Sequence, residues 1–247
     1  MGSIFVTGDC HGDFSKLSYT NWPISTLLTR DDYIIVTGDV GLIFHPTQSK
    51  DEKWWTNWLI KKPWNLLMID GNHENHPKLN QLPREEKFGG IVGKVADNIY
   101  HLRRGEIYEI EGKKILTFGG AASVDKAYRT DGVSWWAEEV PNYADTENCY
   151  LSMEKHNRSV DYIIAHTCPQ AIAPVIAGRR GSIVFDDPTQ RMLDHITSGC
   201  TFRHFFCGHW HEDVSYGNYH FLYNKIVNLK DFEDEEERQI GEVGFGA

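Results

Sequence analysis

Cysteine is scarce in this sequence and is never paired in a short motif. Five cysteines occur among 247 residues, an odd number, and none forms a Cys-x-x-Cys pair. A disulfide framework and a structural zinc site built from thiolates both need such pairs, so neither is indicated. Reduced thiols are the simplest expectation.

Long hydrophobic runs are also missing. No apolar run approaches the roughly 20 residues that cross a bilayer. The first apolar stretch, Ile4-Phe5-Val6, is too short for a signal peptide. We therefore expect a cytoplasmic protein without a membrane partner.

Basic residues are outnumbered. The chain has 25 lysines and arginines against 35 aspartates and glutamates, and its formal net charge is -10. Nucleic-acid grooves rely on clustered basic side chains, so an extended nucleic-acid partner is not expected. Hydrophobic residues (40%) and charged residues (24%) are at ordinary globular levels, which favours one domain over 1–247. Within it, 231–247 are expected to form an acidic tail able to flex.

Short apolar runs rich in branched and aromatic residues recur along the chain, which is typical of buried strands. The predicted strands are Ile4–Val6, Tyr33–Val36, Leu66–Ile69, Ile115–Phe118, Tyr162–Ala165 and Phe205–Cys207. A helix is predicted over Asp51–Ile60, before Pro63. Its apolar face would consist of Trp54, Trp55, Trp58 and Leu59.

Closely spaced segments later in the chain predict antiparallel hairpins, because glycines separate apolar runs of similar length. These segments are Ile99–Leu102, Glu106–Ile110 and Lys113–Phe118, and 214–229 look similar. The first half alternates strand and helix. Together the patterns predict an α/β protein with two sheets packed face to face and helices outside.

Polar clusters follow five of the predicted strands and contain several of the chain's 12 histidines. Ligands of α/β sheets bind beyond the carboxyl ends of strands, where loops distant in sequence converge. Carboxylate, imidazole and amide groups together suit first-row divalent ions. The clusters are Gly8-Asp9-Cys10-His11, Gly38-Asp39, Gly71-Asn72-His73-Glu74, His166 and Gly208-His209-Trp210-His211.

The spacing within the clusters has physical reasons. Asp9 and His11 stand two residues apart, as do His209 and His211. In an extended chain each pair therefore shares a face and can hold one ion, while Cys10 faces away and packs. Glycines before three of the clusters permit a sharp turn. One Asp-x-His pair is weak evidence for a metal, but the whole ordered set makes accident a poor explanation.

In this order the clusters resemble those of the calcineurin-like metallophosphoesterases, from residue 9 to residue 211. The resemblance implies a four-layer α-β-β-α sandwich with two mixed central sheets and two divalent ions. The ligand set that it implies is Asp9, His11 and His211 for the first ion, Asn72, His166 and His209 for the second, and Asp39 as the bridge between them.

One departure from the family concerns the second motif. The stretch 8–14 is similar to the opening motif of protein Ser/Thr phosphatases and bacterial dinucleoside tetraphosphatases. Those enzymes place an acid and an arginine three and four positions after the bridging aspartate. Leu42 and Ile43 stand there in this chain. The acid that would orient His73 and the arginine that would clamp phosphate are therefore missing from their expected places.

The resemblance implies a phosphoesterase in which a hydroxide activated by two metals attacks a phosphate ester. His73 would be the general acid for the leaving alkoxide, and Asn72 and His73 would contact the substrate. The insertion 119–141 offers Arg129 as a replacement clamp, since a guanidinium matches phosphate geometry. The alternatives are a structural imidazole for His73 and an ordinary surface charge for Arg129.

Several alternatives stay open. The substrate would be a phosphomonoester or small nucleotide, and the alternative is a diester such as a cyclic nucleotide, a dinucleotide or a nucleic-acid end. A catalytically weak metal-binding scaffold is an alternative of another class, which the complete ligand set disfavours. Mn, Fe, Zn and Ni all suit the ligand types, with Mn the first choice. His195, His204 and His220 belong to no motif and are expected to be structural or exposed.

Overall fold

The computed structural model describes residues 2–183 and 185–233, so most of the predicted acidic tail, 234–247, lies outside the described residues. The helices are α1 (Lys50–Ile60), α2 (His76–Asn80), α3 (Tyr143–Lys155), α4 (Ala173–Arg180) and α5 (Pro188–Ser198). The strands are β1 (Ile4–Thr7), β2 (Tyr33–Val36), β3 (Asn65–Met68), β4 (Arg84–Lys87), β5 (Gly90–Ala96), β6 (Ile99–Leu102), β7 (Ile107–Ile110), β8 (Lys113–Phe118), β9 (Tyr162–Ala165), β10 (His204–Cys207), β11 (Val214–Tyr216), β12 (Tyr219–Phe221) and β13 (Ile226–Asn228). Across these described ranges, no helix has the length and apolar character needed to span a membrane.

The strands form two mixed sheets. The first has the order β13-β1-β2-β3-β6-β5-β4, and the second has the order β11-β12-β10-β9-β8-β7. Parallel pairs occupy the middle of each sheet, from β1 to β6 in the first and from β8 to β12 in the second. Antiparallel pairs complete the edges. The predicted α/β class with two mixed sheets is confirmed.

Three apolar cores separate four layers. Val6 and Ile164 belong to the core between the two sheets. Leu59 of α1 and Leu79 of α2 cover the outer face of the first sheet. Helices α3, α4 and α5 cover the outer face of the second sheet, for example through Leu193. The structure is therefore the α-β-β-α sandwich that the sequence predicted.

All six predicted strands are present, and their ends differ from the prediction by no more than two residues. The reason lies in their burial on both faces. In β1, Val6 faces the core between the sheets, whereas Phe5 faces the outer core. A strand with two buried faces has no polar alternation, so it stands out in the sequence as a continuous apolar run.

The predicted hairpins are partly wrong. β7 and β8 pair antiparallel as predicted, but β6 lies in the other sheet, between β3 and β5. Likewise β11 and β12 form a hairpin, while β13 crosses to pair with β1. The pattern of apolar residues does not distinguish a turn that returns to the same sheet from a loop that crosses to the facing sheet.

The predicted apolar face of α1 is also partly wrong. Leu59 is fully buried, but Trp54 is 56% exposed, and Trp55 and Trp58 are half-buried. Trp54 stands five residues before Leu59, which is about 140° around a helix. It therefore points away from the stripe that packs on the first sheet.

Strand register places the ends of the central strands at one edge. Thr7 pairs with Val36 and Val36 with Met68 across the first sheet, and Phe118 pairs with Ala165 in the second. Because these strands are parallel, the loops that follow them leave on the same side. Those loops carry the predicted metal ligands.

Candidate metal centre

The loops after β1 and β10 bring together the first predicted group of ligands. Asp9 Oδ2 lies 3.1 Å from His211 Nε2 and 3.7 Å from His11 Nε2. The Nε2 atoms of the two histidines are 3.0 Å apart. The three side chains each offer a donor atom within 4.8 Å of the others, which is close enough to hold one cation.

The loops after β3, β9 and β10 bring together the second group. Asn72 Oδ1 lies 3.1 Å from His166 Nε2 and 3.1 Å from His209 Nδ1. Asn72 and His166 are buried. An amide oxygen and two imidazole nitrogens thus converge on one point inside the protein.

Asp39, which follows β2, lies between the two groups. Its Oδ2 atom is 3.9 Å from His11 Nδ1, and its Oδ1 atom is 3.4 Å from His166 Nε2. The side chain is buried, with only 2% of its surface exposed. One carboxylate oxygen therefore faces each group, which is the arrangement that a bridging ligand requires.

The backbone at the predicted ligands is not extended, contrary to the spacing argument. His11, Asp39, His209 and His211 all have φ between 47° and 65°, in the left-handed region. This region costs energy for residues other than glycine and is found mainly where surrounding structure enforces it. The side chains meet because the loops turn sharply after each strand. Cys10 is buried in the outer core, as predicted.

Glycines at two of the motifs are needed for close approach. A Cβ atom at Gly208 would lie 2.0 Å from Asp9 Oδ1, and one at Gly71 would lie 2.1 Å from Asp39 Oδ1. Neither glycine has a positive φ. The turn argument therefore does not explain them. Only a residue without a side chain lets these carboxylates sit directly on the neighbouring loop.

The hydrogen bonds of His166 show that a cation fits the second group. His166 Nδ1 lies 2.7 Å from the carbonyl oxygen of Thr37, and a carbonyl can only accept, so the ring proton is on Nδ1. Burial lowers the pKa of His166, which favours the neutral ring. Its Nε2 atom then points a lone pair at Asn72 Oδ1, which is also an acceptor. A metal ion between these atoms would turn their repulsion into coordination.

The two carboxylates, Asp9 and Asp39, also indicate that a cation fits this centre. Their ion-pairing partners among the described residues are imidazoles. Burial acts to raise the pKa of Asp9, but the hydrogen bond from His211 and other imidazoles bring it to about 2. Burial, followed by the charges of Asp9 and Glu74, raises the pKa of Asp39 well above its usual range. A divalent cation would remove this repulsion.

Comparison with known proteins agrees with this geometry. The family described as calcineurin-like phosphoesterase matches residues 2–213. The chain belongs to this family. Its members depend on two metal ions and hydrolyse phosphoester bonds. The predicted family is therefore confirmed, and the structure brings together Asp and His side chains that could hold metal ions.

One curated relative of this phosphoesterase is a lariat debranching enzyme from Schizosaccharomyces pombe. It is 26% identical to the chain over 182 residues. The alignment covers 68% of this chain and 37% of the relative. The similarity therefore concerns a shared segment, and most of the relative's length lies outside it.

His73 of the phosphoesterase lies at the mouth of the centre. Its backbone N–H donates to Asp39 Oδ1 at 2.8 Å, and its Nε2 atom is 3.8 Å from Asp39 Oδ2. Burial, and then the charge of Arg129, lowers the pKa of His73 to about 3. In the absence of bound ions, the ring is therefore neutral at pH 7. His11, Asp39 and His73 also lie close enough together to share a cation.

Arg129 reaches the same place from the insertion. Its Nη2 atom is 2.8 Å from His73 Nε2 and 3.0 Å from His73 Nδ1. Asp125 holds the guanidinium through two hydrogen bonds of 2.7 Å and 2.8 Å, and Ser134 accepts a third. Trp136 from the same insertion is buried against Phe44. The insertion thus packs at the site, and it places a cation there.

Leu42 and Ile43 occupy the positions of the missing acid and arginine. Leu42 is buried in the outer core, and the carbonyl of Ile43 accepts from the backbone of Asn75. These positions therefore serve the packing of the loop after β2. Arg129 is the guanidinium that lies near His73 instead, and it comes from a different part of the chain.

Two residues that connect the loops carrying the predicted metal ligands were not identified from the sequence. Glu74 accepts hydrogen bonds from the backbone N–H groups of Val40, Gly41 and Gly71, and so ties two of the loops together. Its place in the Gly-Asn-His-Glu cluster was the available signal.

Lys16 is the second such residue. Its Nζ atom donates to the carbonyls of Gly8, Asp9 and Tyr223 at 2.7 to 2.8 Å. The ammonium therefore joins the loop after β1 to the segment before β13. No sequence signal pointed to this role, because an isolated lysine is usually a solvated surface charge.

A cleft of about 370 Å³ opens beside the centre. His11 and His73 line it on the side of the predicted ligands. Phe44 and His45 also line it, together with the acidic Glu52 at the start of α1. The volume lies in the range of small-molecule sites, roughly 300 to 1,000 Å³.

Proposed function

We propose that this phosphoesterase hydrolyses a small phosphate ester at two divalent cations, with manganese the first choice. When bound, the cations would activate water at neutral pH and polarise the phosphoryl group. The residues proposed to hold them are Asp9, His11 and His211 for the first, Asn72, His166 and His209 for the second, and Asp39 for both. The observation that carries this proposal is the lone pair of His166 Nε2 facing Asn72 Oδ1 at 3.1 Å, an arrangement that a cation stabilises.

His73 is proposed as the general acid. A guanidinium can only donate, so Arg129 Nη2, at 2.8 Å from Nε2 and 3.0 Å from Nδ1, donates to whichever ring nitrogen carries the lone pair. To act as an acid the neutral ring must first gain a second proton, and the negative charge of a bound phosphate would favour this by opposing the charge of Arg129. The backbone N–H of His73 donates to Asp39, and this bond fixes the ring beside the reacting group.

Arg129 and Asn72 are proposed to contact the substrate together with His73. A phosphate oxygen placed at the centre mouth would be a stronger acceptor for Arg129 than a neutral imidazole. The guanidinium is already held by Asp125, so its orientation is set before the substrate arrives. Arg129 thus supplies the phosphate contact that the position of Ile43 lacks.

The cleft supports a small substrate. Its volume of about 370 Å³ matches a nucleotide-sized ligand rather than a polymer. Glu52 and Asp51 line it, and the chain carries a net charge of -10. Negative charge beside the cleft disfavours additional phosphates, because like charges repel.

The second candidate is hydrolysis of a phosphodiester, for example in a cyclic nucleotide, a dinucleotide or a nucleic-acid end. The similarity to a lariat debranching enzyme favours it, since that relative is named for an action on lariats. A catalytically weak metal-binding scaffold is the third candidate, and the completeness of the ligand group weighs against it.

One assay separates these candidates. Protein loaded with Mn²⁺ is tested on p-nitrophenyl phosphate and on bis(p-nitrophenyl) phosphate, and hydrolysis of the monoester is expected to be faster. His73→Ala should keep both metals while turnover of an alkyl monoester such as glycerol 2-phosphate falls about 100-fold or more, because an alkoxide leaving group needs a proton that p-nitrophenolate does not. His195→Ala is the control, since His195 is an exposed histidine of α5 and does not line the cleft. Unchanged turnover in His73→Ala would remove His73 from the mechanism, and inactivity on both esters would favour the scaffold.

Arg129→Ala tests the substrate contact. The Michaelis constant for the monoester should rise about tenfold or more, as loss of a charged hydrogen bond implies. Lys126→Ala is the matched control, because Lys126 lies in the same insertion, over the ring of Trp135. An unchanged Michaelis constant would assign Arg129 to positioning the insertion.

We also propose that the protein acts in the cytoplasm as one domain. Its five cysteines are free and buried, as suits a reducing compartment. Small phosphorylated molecules or nucleotides are the proposed partners.

A further inference from the structure

We propose that Ser123 and Glu139 are positioning residues that orient the Asn72 amide toward the second cation. The proposal rests on the function proposed above, because it concerns a ligand of that centre. Both residues belong to the insertion between β8 and α3, and they stand 51 and 67 positions after Asn72.

Two hydrogen bonds connect the side chains of Asn72, Ser123 and Glu139. Asn72 Nδ2 donates to Ser123 Oγ at 3.0 Å, and Ser123 Oγ donates to Glu139 Oε2 at 2.6 Å. The other carboxylate oxygen, Oε1, accepts from the backbone N–H of Ser123 at 2.8 Å. Glu139 therefore holds Ser123 at two atoms and fixes where its hydroxyl points.

The direction of these bonds decides which way the amide faces. The single proton of the Ser123 hydroxyl is engaged by Glu139, so toward Asn72 the hydroxyl can only accept. If the amide were flipped, Asn72 Oδ1 would face that lone pair, and two acceptors would repel. The NH₂ group must therefore face Ser123, and Oδ1 must face the imidazoles of His166 and His209.

Burial prevents water from replacing this chain. Asn72 is 4% exposed, Ser123 9% and Glu139 2%. Arg104 also holds the backbone near Glu139 and Asn72 in place. Arg104 donates to the carbonyl of Glu139 at 3.2 Å and to Asp70 Oδ2 at 2.7 Å, and Asp70 stands two residues before Asn72. The same guanidinium thus anchors both ends of the chain of hydrogen bonds.

This orientation matters for one of the two cations. An amide binds a metal through its oxygen, whereas its NH₂ group has no lone pair to offer. The first group consists of Asp9, His11 and His211, and it contains no amide. Loss of Ser123 or Glu139 should therefore weaken the second cation and leave the first unchanged.

The test measures metal binding rather than turnover. Mn²⁺ is titrated calorimetrically into metal-free wild type and Ser123→Ala, and electron paramagnetic resonance follows whether bound ions are exchange-coupled pairs. The wild type should bind two ions. In Ser123→Ala the weaker site should lose about 10- to 100-fold in affinity, as is usual for residues that orient a ligand. At one equivalent the variant should give the signal of an isolated ion.

Three further variants separate the positioning role from a merely structural effect. Ser123→Thr keeps the hydroxyl and should restore the coupled signal, whereas Glu139→Gln should weaken the second site as Ser123→Ala does. Ser152→Ala removes another buried serine, in α3, and should change nothing. Thermal unfolding of each variant checks that the fold persists.

The outcomes are distinguishable. If the wild type binds two ions and Ser123→Ala and Glu139→Gln bind both with wild-type affinity, the positioning role is overturned while the proposed function stands. A wild type that takes up no metal overturns both. Equal weakening of both sites would likewise contradict a role confined to Asn72.

Discussion

Two clusters of aspartate and histidine lie next to each other in this protein, and they differ in the source of their positive charge. In the cluster around Asp70, the Oδ1 atom is 3.1 Å from His101 Nε2, and Arg104 Nε is 2.7 Å from Oδ2. Burial acts to raise the pKa of Asp70, but Arg104 and then His101 pull it far below its usual range. In the candidate metal centre, burial and neighbouring carboxylates raise the pKa of Asp39 instead.

The comparison teaches that residue types alone do not identify a metal site. Both clusters contain buried carboxylate and imidazole groups. The Asp70 cluster is neutralised from within by a guanidinium, so it needs no ion. The Asp9 and Asp39 carboxylates face only imidazoles among the described residues that pair with them. The imidazoles compensate Asp9, whereas the raised pKa of Asp39 leaves a charge that a bound cation would compensate.

The largest expected effect is a difference in the free energy of unfolding between substitutions of Asp70 and Asp39. Asp70→Asn should destabilise the metal-free protein by about 3 kcal/mol, because a buried guanidinium loses its charged partner. Asp39→Asn should leave the metal-free protein at least as stable as the wild type, since it removes a repelled charge. Denaturant unfolding in the presence of chelator measures both. A strong loss of stability in Asp39→Asn would break the comparison.

A smaller effect concerns added metal. Mn²⁺ at about 100 times its dissociation constant should stabilise the wild type by about 2.7 kcal/mol, as binding to the native state requires. Asp39→Asn should lose most of this gain. Asp70→Asn should keep it, although it starts from a lower stability. Thermal unfolding with and without Mn²⁺ gives the differences, and equal gains in all three proteins would contradict the assignment.

The smallest effect involves a third histidine cluster, which lies around His220. His220 contacts His204 at 2.9 Å and Ser215 at 2.8 Å, and it stacks on Phe206. Burial, and then His204, lowers the pKa of His220 to about 4. The unfolded chain binds the proton first as pH falls, so stability should decrease between pH 6.5 and 4, by roughly 2 kcal/mol.

His220→Phe should flatten that part of the pH profile, measured by denaturant unfolding at several pH values. Ser198→Ala is the control, because it removes an exposed hydroxyl of α5 that does not titrate, and it should leave the slope unchanged. A steeper slope in His220→Phe would show that another group dominates the acid response.

Much of the fold could be predicted because strands buried on both faces leave continuous apolar runs. The polar clusters after them could be located for the same reason, and the structure gathers their side chains at one edge. The left-handed backbone at His11 and His209 could not be predicted, since neither residue type requires it. The roles of Ser123 and Glu139 could not be predicted either, because their partner Asn72 is far away in sequence and no spacing pattern links the three residues.

The separation of the ligands along the chain has a consequence for how the protein is made. His11 and His211 are 200 positions apart, and β13 must pair with β1 to complete the first sheet. A ribosome adding about 5 to 20 residues per second needs on the order of 10 to 40 s to bridge that interval. The nascent chain consequently exposes its amino-terminal aspartate and histidine long before their partners emerge. Binding of the proposed cations would therefore follow closure of the sandwich.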